Sequence, residues 1–263
     1  MRAILVLSLT MIFFGSELFA GGHSSTLQDV KARGKLRCVV TTGLPGFAAP
    51  DANGVWRGFD WDFCRATAAA VLGDANAVDP ITSTGKTRFT KLNAGEGDVL
   101  WRNTTITFSR DVSVKLRFLG VNYYDGQGFM VNKSLGVSSA KELDGASVCI
   151  QTGTTTELNL ADYFSSNNMS YEAVTIETND EARQNYEAGR CDIYTTDASG
   201  LASTRSSLPN PNDHMVLPEI ISKEPLGPAV RQGDDAWADI ITWVLAATIT
   251  AEELGVNSSN VDQ

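Results

Sequence analysis

Histidine is nearly absent from this chain: of 263 residues only His23 and His214 are histidines, and neither a His-x-x-x-His nor a Cys-x-x-Cys spacing occurs. No metal is expected, because zinc centres need clustered nitrogen and thiolate ligands, and no motif calls for a cofactor. Basic residues are in deficit too, 21 Lys and Arg against 31 Asp and Glu, for a formal net charge of -10. That balance argues against nucleic acid and against anionic membrane surfaces as partners. Long apolar runs are lacking after the first residues. The stretch 240–247 is flanked by Asp239 and Thr248; it falls well short of the ~20 residues of a membrane span and suits a buried helix face.

What is present begins with an export signal. Arg2 is a short basic start, residues 3–14 are almost unbroken apolar, and Ala20 is a small residue before Gly21-Gly22. This is the pattern of a cleavable secretory peptide over residues 1–20. A membrane anchor is the weaker alternative, because Glu17 interrupts the apolar run at about a dozen residues. The mature protein is expected to be soluble and exported. The roughly 240 residues that follow suffice for one large domain or two lobes. Four cysteines in an exported chain read as two disulfides, with three possible connectivities. Cys38 and Cys64 fall in the first half and Cys149 and Cys191 in the second, which favours one bridge within each half.

The chain is organised around residues 97–111. Val99, Leu100 and Trp101 read as a short strand leaving an Ala94-Gly95 turn, and the polarity then changes abruptly to Arg102, Asn103, Thr104, Thr105 and Arg110. A polar cluster at a strand's carboxyl end is where open α/β sheets bind small ligands. Thr105 and Arg110 together suit a carboxylate, the hydroxyl donating one bond and the guanidinium offering a planar fork to two oxygens. The alternative is a solvated turn in which Arg110 merely pairs with Asp111.

In chain order, Thr26 to Arg33 reads as a helix stopped by Gly34, and Leu36 to Thr41 as a buried strand ending in a Gly- and Pro-rich loop. Leu44 and Phe47 in that loop either wall a ligand or cap the core. A helix opens near Phe59, with Asp60 as its cap, and runs to Leu72. A strand over 78–82 precedes a helix whose Arg88 either faces the cleft or lies on the surface. Residues 116–131 are extended and aromatic, as expected of a crossover. Ala146 to Gln151 is a fresh strand leading into Thr154-Thr155-Thr156-Glu157, a capping box whose free first-turn amides offer an anion site. Asp197 ends the next strand, either to bind a ligand ammonium or to cap a helix. Residues 206–214 read as a surface loop with a solvated His214, 216–221 as a strand, 222–231 as a return crossover, and 235–254 as a final helix.

A weak repeat accompanies this order. Ala94-Gly95-Glu96-Gly97-Asp98-Val99-Leu100 is echoed by Ala188-Gly189-Arg190-Cys191-Asp192-Ile193-Tyr194. Two similar α/β units, each with polar loops at its strand ends, imply two lobes facing a cleft.

From about Thr26 to Gln263 the chain resembles the periplasmic solute-binding proteins of amino-acid ABC transporters, family 3, and is most similar to their general L-amino-acid binding group. The match runs through Gly58-Phe59-Asp60-Trp61-Asp62, Asn103-Thr104-Thr105 with Ser109-Arg110, Asn122 to Phe129, Gln151 to Glu157 and Glu219 to Pro228. The resemblance implies an α/β, two-lobed, type II periplasmic-binding-protein fold with two crossover segments. The first lobe would span residues 26–121, the second 122–224, and 225–263 would return to the first.

It further implies that Arg110 binds a ligand α-carboxylate with help from Thr105 and the anion site at Thr154 and Thr155. Asn103 and Asp197 would take the α-ammonium, and Arg88 a side-chain carboxylate where one is present. Leu44 stands where several relatives place a stacking aromatic, which disfavours cationic side chains. Family members continue past Gln263, so the chain reads as truncated. The expected function is broad-specificity L-amino-acid binding and delivery to an ABC-type permease, by a monomer. The alternatives are an exported enzyme of the same fold, such as a dehydratase, or a sensor module.

Overall fold

The computed structural model describes residues 25–262; the export signal read over 1–20 lies outside them. The chain runs through helix α1 (Thr26–Arg33), strands β1 (Leu36–Thr41), β2 (Ala49–Pro50) and β3 (Trp56–Arg57), α2 (Phe59–Leu72), β4 (Val78–Ser83), α3 (Arg88–Asn93), β5 (Val99–Leu100), α4 (Phe108–Val112) and β6 (Leu116–Phe118). It continues through β7 (Tyr123–Asp125), β8 (Gln127–Asn132), β9 (Ala146–Gln151), α5 (Thr155–Ser166), β10 (Tyr171–Ile176), α6 (Asn179–Glu187), β11 (Ile193–Asp197), α7 (Ala198–Ser206) and β12 (His214–Val216). The last elements are β13 (Glu224–Leu226), β14 (Ala229–Arg231) and α8 (Asp235–Glu253).

Local chemistry sets most of these boundaries. Ser25 caps α1 by accepting from the Gln28 N–H, and Gly34 closes it in the left-handed conformation at φ 70°. Helix α2 departs from expectation. Its cap is Gly58, and Asp60 lies inside the first turn with its side chain buried. At Gly58 φ is 121°, and a Cβ there would lie 2.5 Å from the Phe47 carbonyl oxygen, so only glycine fits the entry and no side chain is available to cap.

Two five-stranded sheets share one design. The first has the order β4-β1-β5-β14-β6 and the second β10-β9-β11-β8-β12. In each, the second strand in the order, β1 or β9, is parallel to both neighbours, and the fourth, β14 or β8, runs antiparallel to the third. The repeat seen in the sequence is a structural one: Asp98 Oδ2 accepts from the Arg37 N–H at 2.7 Å, and Asp192 Oδ2 accepts from the Ser147 N–H at 3.0 Å. Arg37 and Ser147 are the second residues of β1 and β9, so an equivalent aspartate registers β5 on β1 and β11 on β9.

Two crossovers connect the sheets. They pair as the antiparallel ribbon β7–β13, with Glu224 opposite Asp125 and Leu226 opposite Tyr123. The strand expected over 216–221 is instead β12 at His214–Val216, paired with β8 at the sheet edge. Pro218, which lacks an N–H, follows, and the chain leaves the sheet towards the ribbon. His214 is accordingly not a solvated loop residue: its Nδ1 lies 2.8 Å from the Tyr186 hydroxyl.

Each lobe has its own core and its own disulfide. Cys38–Cys64 joins β1 to α2, and Cys149–Cys191 joins β9 to the residues before β11, one bridge in each half. All five tryptophans belong to the first lobe's elements, at positions 56, 61, 101, 237 and 243. Trp101 is fully buried, stacks on Phe63 at 4.4 Å and donates its indole N–H to Thr67 Oγ1 at 3.0 Å. Trp237 brings α8 back to this lobe by donating to the Asp98 carbonyl at 2.9 Å. Among the described residues no helix is long and apolar enough to cross a membrane.

Candidate functional site

The polar loops at the strand ends of both sheets converge on one cleft, as open α/β sheets dictate. The first lobe supplies Arg88 from the start of α3 and Arg102, Asn103 and Thr105 from the loop after β5. The second supplies Thr154 and Thr155 at the N-terminus of α5 and Asp197 at the end of β11. They line a tight cavity of about 20 Å³.

Three guanidiniums and three carboxylates are buried around it: Arg88, Arg102 and Arg110 with Asp60, Asp197 and Glu224. Arg88 Nη1 donates to the Asn103 carbonyl at 3.2 Å and to Thr104 Oγ1 at 3.1 Å. Arg110 Nη1 donates to the Thr105 carbonyl at 2.7 Å. The Arg88 and Arg110 guanidiniums lie 4.9 and 5.1 Å from the Phe89 ring centre, within cation–π range. Burial lowers the pKa of all three arginines, to about 10 for Arg102 and Arg110, which leaves these two cationic at neutral pH. Burial raises Asp60 and Asp197 to about 7 each. For Asp197 the nearby Asp125 and Glu224 add to the rise, while Arg88 and Arg102 oppose it.

Several polar atoms in this wall have no partner. Arg88 Nε and Arg102 Nε are buried donors without an acceptor, and Asn103 Oδ1 is a buried acceptor without a donor. Buried polar groups left this way cost free energy until something satisfies them.

The lobes meet across the cleft. Thr105 Oγ1 and Thr155 Oγ1 are 3.3 Å apart, and both donate to Glu224 Oε2, Thr155 at 2.8 Å. Asn159 and Ser222 donate to the other oxygen at 2.7 and 2.6 Å. Asn179 of α6 donates to Thr41 Oγ1 at 3.4 Å, and Ser203 of α7 to the Pro45 carbonyl at 2.7 Å. The rim closes on Gly85, where a Cβ would lie 2.8 Å from Thr154 Cγ2.

Of the residues singled out in the sequence, Arg88, Asn103, Thr105, Thr154, Thr155 and Asp197 line the cavity. Arg110 lies beside it, bound to Thr105. Leu44 and Phe47 do not line it. Leu44 faces a neighbouring crevice with Asn179 and Arg183, and Phe47 packs edge-on against Phe59 and Tyr123. Thr154 does cap α5, accepting from the Glu157 N–H, but Glu157 reaches back to Gly153 rather than Thr154. The sequence reading left Arg102, Asp60 and Glu224 out of the site. Arg102 was detectable as the first polar residue after β5, whereas Asp60 looked like a cap and Glu224 like part of a connector.

The chain and its fold have close counterparts. Residues 36–256 match the model of the bacterial extracellular solute-binding proteins, family 3. The glutamate/glutamine/aspartate/asparagine-binding protein of Rhodobacter capsulatus is 62% identical over 256 residues, 95% of this chain and 76% of that protein. The general L-amino acid-binding periplasmic protein of Rhizobium johnstonii is 58% identical, over 95% of this chain and 74% of that protein. Among solved structures, a periplasmic binding protein from Brucella ovis with glutathione bound superposes with a TM-score of 0.88 at 55% identity, covering 91% of this chain and 75% of that one. The two lobes, their ribbon and the cleft are the type II periplasmic-binding-protein fold. On the extent of the match and the identity of these relatives, the chain belongs to the family 3 bacterial extracellular solute-binding proteins.

Proposed function

We propose that this protein binds L-amino acids in the periplasm and delivers them, as a monomer, to an ABC-type permease. The observation that carries the reading is the mixed polarity of one small buried wall, with unpartnered guanidinium donors beside an unpartnered amide oxygen and the Asp197 carboxylate. An α-amino acid presents the matching pair, an anionic end and a cationic one. Arg110 and the free amides of the first turn of α5 take the α-carboxylate. The Thr105 and Thr155 hydroxyls already donate to Glu224, so they position the two lobes rather than donate to the ligand. Asn103 Oδ1 and Asp197 take the ammonium. Arg88 and Arg102 remain for the side chain, in keeping with relatives named for glutamate, glutamine, aspartate and asparagine.

Binding bridges the lobes, and closure turns about the β7–β13 ribbon, where the sequence places the lobe limits near residues 121 and 224. The closed form is what a permease would distinguish. Enzyme chemistry is the lesser reading. The relatives reported above are named for binding rather than for a reaction, and the buried Glu224 carboxylate is held by four donors.

Titration of the purified protein with the twenty L-amino acids, read by calorimetry and melting temperature, tests the proposal. Several amino acids should bind and stabilise, and no response from a folded protein would refute it. The pH dependence has a definite sign. Asp197 must be ionised to hold an ammonium, and its unliganded pKa is about 7. Glutamine affinity should therefore fall as pH drops through 7, by up to about tenfold per unit.

Closure can be weakened without touching a ligand group. Gly85→Val places branched carbons against Thr154 and the Thr152 carbonyl, 3.1 Å from the added Cβ. An overpacking cost of about 1–3 kcal/mol, felt only when the lobes meet, should weaken binding roughly 5- to 150-fold. The melting temperature without ligand should stay within a degree or two of the parent, and unchanged affinity would count against closure at this rim.

A further inference from the structure

We propose that Asp60 enables the cleft to hold both acidic and amide side chains, by taking up a proton from solvent when an acidic amino acid binds. This rests on the amino-acid reading above and adds how one site tolerates ligands of different charge. Arg88, Arg102 and Arg110 are balanced by Asp60, Asp197 and Glu224, all six buried. A zwitterion with a neutral side chain leaves that balance at zero. Glutamate or aspartate adds one negative charge to a site from which most water is excluded, and an uncompensated buried charge is costly. One carboxylate must become a carboxylic acid to restore neutrality.

The geometry selects which one. Glu224 accepts from Thr105, Thr155, Asn159 and Ser222, so a proton there would displace a donor already in place. Asp197 lines the cavity and must stay ionised to hold the ligand ammonium. Asp60 is different: its Oδ2 is buried with no hydrogen-bond partner, and it is absent from the cavity wall, behind Arg102 and Asn103. A proton on Oδ2 therefore breaks no existing bond and touches no ligand atom. Arg102 faces Asp60 from the loop after β5, and the Asn103 N–H donates to it from the same loop. On its own helix Asp62 is exposed. Beyond Arg102 lie Arg110 and Asp197, with Arg88, Glu224 and Asp125 around Asp197.

Burial already holds the Asp60 carboxyl at about 7 against the pull of Arg102. An added anion next to Arg102 draws that guanidinium towards the ligand and raises Asp60 further. With a neutral amide ligand Asp60 stays ionised and keeps Arg102 compensated. Asp60 is thus a positioning and charge-balancing residue.

The test is a proton count. Calorimetry of L-glutamate and L-glutamine binding at about pH 8, in phosphate and in Tris, gives the protons taken up with each ligand. Glutamate should take up close to one proton more than glutamine, and its affinity should fall close to tenfold between about pH 7.5 and about pH 8.5 while that of glutamine holds. In Asp60→Asn the difference in proton uptake should vanish. The glutamate-to-glutamine affinity ratio at about pH 8 should rise about tenfold or more, because the site then carries one positive charge in excess. A merely structural role for Asp60 would change neither quantity. Equal proton uptake for the two ligands in the parent protein overturns the proposal, whether or not the variant folds, and so does an uptake difference that persists in Asp60→Asn. Failure of both ligands to bind overturns the amino-acid reading itself, and the proposal with it.

Discussion

Arg110→Ala is expected to lose amino-acid affinity by about 30-fold to several thousandfold, which is the ~2–5 kcal/mol cost of removing one partner from a buried, hydrogen-bonded charge pair. The size follows from how tightly this guanidinium is oriented. Thr107 caps the five-residue helix α4 that carries it, the Thr105 carbonyl holds Nη1 at 2.7 Å, and the Phe89 ring lies 5.1 Å away. The remaining nitrogens form a preorganised fork, so little side-chain entropy is lost when a carboxylate arrives. Arg110→Lys should recover only a small part of the loss, since a single ammonium cannot reproduce two parallel bonds. The comparison is calorimetric titration with glutamine beside a thermal melt. A folded Arg110→Ala protein that binds as tightly as the parent would remove Arg110 from the site.

Trp101→Ala should cost about 3–5 kcal/mol of stability, against about 5–15 kcal/mol for a typical domain. The indole is fully buried and stacked on Phe63, so truncation leaves a cavity that the rigid β5 backbone cannot fill. The Thr67 hydroxyl that receives its N–H goes on to donate to the Phe63 carbonyl at 2.8 Å, so removal also loosens the segment of α2 that Cys64 bridges to β1. Trp101→Phe separates the two contributions. It keeps most of the stacking and loses the hydrogen bond, worth about 1 kcal/mol. Chemical denaturation followed by circular dichroism measures both, and near-parental stability of Trp101→Ala would show that this core tolerates a void.

The elements were legible where a local signal was strong. Gly34 ends α1, the apolar run of β1 stands between Gly34 and Gly43, and the matching Gly97-Asp98 and Cys191-Asp192 pairs before β5 and β11 mark equivalent strands. The arginine and threonines of the cleft were legible because a strand's carboxyl end followed by polar residues is a site by construction. Asp60 and Glu224 were not, because their roles depend on partners distant in sequence. Glu224 meets Thr105 across 119 residues, and no periodicity encodes that. Asp60 was misread because its position two residues after a glycine resembles a cap, while the backbone approach at Gly58 moves the helix start forward. His214 was misread because the turn residues before it signal a loop, and the edge pairing with β8 that makes it a strand residue is tertiary.

The confinement of every tryptophan to the first lobe has a practical consequence. The six tyrosines lie at positions 123, 124, 163, 171, 186 and 194, on the ribbon and the second lobe's elements. The molecule thus carries spectroscopic donors on one jaw and acceptors on the other. Tyrosine-to-tryptophan energy transfer reads the gap between the jaws, while light absorbed by tryptophan alone reports the first jaw's own packing. Jaw movement and local loosening become separable signals in one cuvette, with no dye attached.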